Sequence, residues 1–96
     1  MHFFQGLRIR IGHNLGEGIS ISTMIEFSLF NLMGFRARDA PVRDILADTA
    51  ALVQQAEDRG FDAAWFAEHH FSNYCICPSP LLMVSYCAGL TTRIHL

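Results

Sequence analysis

The sequence predicts an α/β fold: the N-terminal βαβαβ portion of a parallel (β/α)8-type sheet, incomplete in strand number. Three observations carry this. Apolar runs of strand length alternate with runs of helical period. The helical runs open on proline and end on glycine. The second strand run, "FDAAWFA", shows no polar alternation, as expected of a strand covered on both faces in a parallel sheet.

Residues 1–23 stand apart as an N-terminal extension. "LRIRIG" and "ISIS" alternate at period 2 with "HNLGEG" between them, which predicts either a short hairpin or an appendage without a packing role. The folded unit is expected at 24–96. Its first strand is "IEFSLFNLM", with Phe27, Leu29 and Phe30 as buried candidates. A polar loop, "GFRARDAP", follows. A helix comes next, with Asp39 as its cap, Pro41 in the first turn, and Asp44 and Asp48 toward the positive end of the dipole. Ile45, Thr49, Leu52, Val53 and Ala56 share one face at helical spacing. Gly60 suits the left-handed position that ends a helix. After "FDAAWFA", Ser79 is placed to cap a second helix and Pro80 to occupy its first position, with "LLMVSYCAGL" as its body. "RIHL" reads as the opening of a third strand. A sheet of three strands leaves an open edge, and a closed barrel takes about 250 residues, so the 96 residues read as the first part of a larger architecture.

Composition narrows the function. A chain that is 51% apolar buries surface rather than staying disordered. A net charge of -2 offers no basic footprint for nucleic acid and no polybasic membrane patch. No run approaches the roughly 20 apolar residues of a membrane span. Cys75, Cys77 and Cys87 lack a framework spacing and read as free thiols of a reducing compartment. The expected location is the cytoplasm. Neither common glycine-rich phosphate motif occurs.

The chemistry concentrates in "FAEHHFSNY". Glu68, His69 and His70 follow the second strand, at the edge where parallel α/β folds gather catalytic and binding groups. Histidine titrates near neutral pH, which suits proton transfer. Three readings stay open on the residues alone. One is acid/base catalysis. Another is a histidine packed and hydrogen-bonded in a loop. The third is a small zinc module with Cys75 and Cys77, although adjacent strand residues point to opposite faces and Cys-x-Cys is not a structural-zinc spacing. Trp65, Phe66, Phe71 and Tyr74 are either core or the wall of a planar ligand. His2, His13 and His95 are isolated.

From Met24 to Leu96 the chain resembles the bacterial luciferase-like, flavin-dependent monooxygenases. The likeness rests on "GFD", "WFAEHHF", the Pro-Ser-Pro at 78–80, "TRIHL" and the opening "MIEFSLFNL". It implies a (β/α)8 TIM barrel using reduced flavin mononucleotide, or the deazaflavin F420, with O2 to oxidise a small organic substrate. It further implies His69 as the catalytic imidazole, with Glu68 and His70 shaping the site. A flavin reductase and a homo- or hetero-oligomer are possible partners by the same likeness. Two positions depart from the family pattern: Cys75 stands where glycine is common, and Ser79 where asparagine is common. With three of eight strands, the chain alone is expected to be inactive. The alternative is a non-catalytic fragment that self-associates through an open sheet edge.

Overall fold

The structure is a computed structural model that describes residues 5–11, 23–34, 41–71, 74–77 and 79–96. For 5–11, Thr23 and Met24 it describes the backbone alone. The elements run β1 (Gln5–Ile11), β2 (Thr23–Asn31), α1 (Val42–Asp58), β3 (Ala63–Phe66) and α2 (Pro80–Ala88).

β2 and β3 pair in parallel, with Leu29 opposite Ala64 and Phe30 opposite Trp65. Parallel neighbours need a crossover, and α1 supplies it. Beyond β3 the expected third strand is reduced to a single parallel bridge between Ala63 and His95. Of the two readings of residues 1–23, the hairpin reading put a strand at "LRIRIG", and that strand is β1. It lies antiparallel on the other edge of β2, from Gln5 opposite Leu29 to Ile11 opposite Thr23. Its partner is thus β2, whereas "ISIS", the partner expected of it, lies outside the described residues.

The helix α1 forms where its period predicts. Thr49, Ala50, Val53 and Ala56 are buried along one face, with Ile45 and Leu52 half-buried beside them. Pro41 sits at the N-cap rather than inside the first turn, and no side chain caps the helix there. Asp39, the expected cap, lies outside the described residues. Gly60 takes φ 84°, which a glycine adopts without Cβ strain, and its N–H donates to the Glu57 carbonyl. In α2, Ser79 holds the N-cap position and Pro80 the first turn, but the Ser79 hydroxyl makes no capping bond.

The helices pack on each other, α1 over β2 and α2 over β3. Strand alternation sends Leu29, Asn31, Ala64 and Phe66 to the helix-covered face. There Leu29 and Ala64 join Val53, Ala56, Met83, Cys87 and Ile94 in one core. The opposite face carries Phe30, 38% exposed, and Trp65, 56% exposed. This corrects two expectations. β3 is covered on one face among the described residues, and neither Phe27 nor Phe30 is buried. Among the described residues no helix lies over that second face, so its apolar side chains Phe30 and Trp65 stay open to solvent.

Candidate functional site

The C-terminal ends of β2 and β3 form one rim, and backbone bonds tie their loops together. The Ala67 N–H donates to the Asn31 carbonyl at 3.0 Å, and the Ile76 N–H to the Met33 carbonyl at 3.1 Å. The His69 N–H donates to the Cys77 carbonyl at 3.3 Å, folding the segment after β3 back onto itself. Asn31 is buried, and its side-chain amide donates to the Trp65 carbonyl at 3.3 Å. A lone amide at the end of an apolar strand run was the signal for Asn31 in the sequence: buried polar groups persist where a partner satisfies them.

Glu68, His69 and His70 follow β3 directly in irregular backbone, and all three are exposed. Their side chains divide the work. The His70 Nε2 and Glu68 Oε1 lie 2.7 Å apart as a half-exposed pair. The His69 ring meets Tyr74 edge-on, with ring centres 5.2 Å apart. Glu68 therefore serves His70, and an aromatic contact orients His69. Tyr74, read in the sequence only as core or ligand wall, is the residue that holds this imidazole.

Two residues at the rim adopt left-handed backbone without being glycine: Met33 at φ 49° and Phe71 at φ 54°. Such conformations cost on the order of 1–3 kcal/mol and concentrate at ligand sites. Met33 is buried, and Phe71 is fully exposed immediately after the histidines. No sequence signal marked either one, because neither type favours that conformation.

Cys75 and Cys77 are buried free thiols. The Cys75 thiol donates to the Ala67 carbonyl and accepts from the Cys77 N–H. Burial pushes the Cys77 thiol up from its usual range, and burial does the same to Cys87. Both are poor nucleophiles in this state. Among the described residues, no three of His, Cys, Asp and Glu come together as metal ligands.

On the bare sheet face, Glu26, Asp62, Ala63, Trp65 and His95 line an open cleft of about 370 Å³. Asp62 is engaged there, since its Oδ2 accepts from the Phe27 N–H at 2.8 Å.

Comparison with known proteins adds to this geometry. The family profile described as luciferase-like monooxygenase matches residues 25–96. An uncharacterized protein of Sinorhizobium fredii is 44% identical over 72 residues, 75% of this chain and 20% of that protein. The alkanal monooxygenase beta chain of Photobacterium leiognathi is 39% identical over 70 residues, 73% of this chain and 21% of its own length. The oxygenase component of the flavin-dependent trigonelline monooxygenase of Acinetobacter baylyi is 31% identical over 72 residues, 75% of this chain and 20% of its own length. The chain thus spans about a fifth of the curated relatives it matches.

Proposed function

The chain belongs to the luciferase-like monooxygenase family, and from that premise we propose that it supplies the first β/α units of a flavin-dependent oxygenase barrel. The observation that carries the reading is the position of Glu68-His69-His70. They stand exposed on the rim just past the C-terminal end of a parallel strand, where barrel enzymes keep their reacting groups.

The residues present fit the ring end of a flavin. Trp65 and Phe30 lie side by side in register and half-exposed on the face without helices, which in a closed barrel is the interior. They offer a flat apolar wall for one side of a planar ring. The groups described at the opposite end of the strands do not suit a phosphate, because Arg93 is spent on the Glu57 and Phe61 carbonyls. The phosphate contacts then fall to later loops of the barrel. Reduced flavin mononucleotide or F420, when bound, supplies the electrons and the oxygen chemistry. His69 moves the proton, accepting at one ring nitrogen and releasing from the other. Tyr74 keeps its ring in place, and the Glu68–His70 pair shapes the loop. The co-reactants are O2 and a small organic substrate, with a flavin reductase as upstream partner, in the cytoplasm.

The test is a graft in which residues 24–96 replace the matching segment of the A. baylyi trigonelline oxygenase component, assayed with chemically reduced flavin. The graft turns over, and His69→Ala in it slows oxygenation by on the order of 10²–10⁴-fold while flavin affinity stays nearly unchanged. Normal turnover in His69→Ala removes that imidazole from the mechanism.

A second reading concerns the 96 residues in isolation. Among the described residues the sheet continues past β3 only through the His95 bridge, and in this reading the edge is free to pair with another chain. In this reading the isolated chain is inactive and self-associates. Sedimentation across a concentration series reports it as a mass that rises with concentration, and a constant monomer mass rejects it.

A further inference from the structure

β1 occupies an edge of β2 that barrel closure also needs. The Phe27 N–H donates to Asp62 and the Phe27 carbonyl accepts the Asp62 N–H. The Asn31 carbonyl accepts from Ala67. Odd-numbered backbone groups of β2 therefore aim toward β3. By alternation, those of Met24, Glu26 and Ser28 aim at β1. Their opposite residues are Arg10, Arg8 and Gly6, and these make the hydrogen-bonded pairs of the ladder.

In a closed eight-stranded parallel barrel every strand has two parallel neighbours. The first strand must take the second on one side and the eighth on the other. Here β2 has its parallel neighbour in β3, and β1 lies antiparallel along its other edge from Thr23 to Leu29. The two arrangements exclude each other, because one N–H cannot serve two strands. β1 also lies wholly before the family match at 25–96.

We propose that β1 is a displaceable edge cap. It stands in for the closing strand of the barrel, protects the β2 edge while that strand is absent, and has to leave before the flavin site can assemble. This rests on the barrel reading above.

Two measurements test it. The first is amide hydrogen exchange on the 96-residue chain. The Glu26 and Ser28 amides are protected, and Arg8→Pro removes that protection by deleting a ladder donor while the α1 amides keep theirs. Exchange at Glu26 and Ser28 that is rapid in the wild type overturns the proposal. The second compares the trigonelline oxygenase graft carrying 24–96 with one carrying 1–96. The longer graft is slower by on the order of tenfold, because only the uncapped fraction is competent. Arg8→Pro restores it to the rate of the shorter graft. Equal rates for the two grafts overturn the cap and leave the barrel reading intact. If neither graft turns over, the barrel reading fails and the cap falls with it.

Discussion

Glu57 shows how one side chain can join distant parts of a chain. It lies in the last turn of α1, where the helix dipole disfavours a carboxylate. Its Oε1 accepts backbone N–H groups from Thr92, Arg93 and Ile94, while the Arg93 guanidinium donates to the Glu57 and Phe61 carbonyls. The backbone N–H of Arg93, then those of Thr92 and Ile94, hold the Glu57 carboxyl below its usual range. A depressed folded value means the contribution is present above the ordinary carboxylate range and is lost as pH falls through the folded value. Glu57→Gln is expected to melt at a lower temperature than wild type at pH 7. The two curves converge toward pH 3, and melting followed by circular dichroism across that interval checks it. Phe71 makes the opposite case. Its side chain is fully exposed and its φ of 54° is strained. Phe71→Gly is expected to gain up to about 1 kcal/mol in urea titrations, the relief of left-handed strain less the added freedom of the unfolded chain. An acidic residue at a helix C-terminus was a readable hint that Glu57 had business elsewhere. The strain at Phe71 left no mark in the sequence, since phenylalanine is not a residue type that favours left-handed backbone.

The helix α1 was the most legible element, because an amphipathic face is written in local spacing. Val53 lies at the centre of that face and is 0% exposed. Val53→Ala is expected to cost about 2–3 kcal/mol, two methyl groups plus the cavity they leave. Leu52→Ala, at a half-buried position, costs less. Equilibrium urea unfolding of both variants checks the order. The strands were less legible. Period 2 separates the faces of β2 but does not say which face a helix will cover or how far along the strand the cover reaches. Leu29 was thus read correctly as buried, Phe30 lies on the uncovered face, and Phe27 shares the face of Leu29 yet stays 46% exposed. "RIHL" has strand composition, yet it contributes only the bridge at His95, because a strand is completed by its neighbour and not by its own residues. Asp39 could not be judged at all, lying outside the described residues.

The molecule as described is a sheet with helices on one side and a bare aromatic surface on the other. Trp65, the single tryptophan of the chain, reports on that surface. In the isolated 96-residue chain its emission is expected to be red-shifted and readily quenched by iodide. On the barrel reading, further strands close over the face in the 24–96 graft, so the emission is expected to shift to the blue and quenching to fall. Unchanged quenching in an active graft would mean that Trp65 does not face the barrel interior. The rim belongs to this level as well. Chain order alone put Glu68, His69 and His70 at the end of a strand, but it left open which of them pair.

Local spacing and punctuation give the succession β2, α1, β3, α2, the buried face of α1 and the location of the histidines just beyond β3, because each of these depends on residues within a few turns of one another. Packing alone decided that β1 lies on β2, that Glu68 turns to His70, that Tyr74 meets His69 and that one sheet face stays open. The place of β1 and the open face depend on which distant groups meet at one edge or one apolar surface, and the Glu68–His70 and His69–Tyr74 contacts depend on the irregular backbone after β3; neither has a period in a sequence.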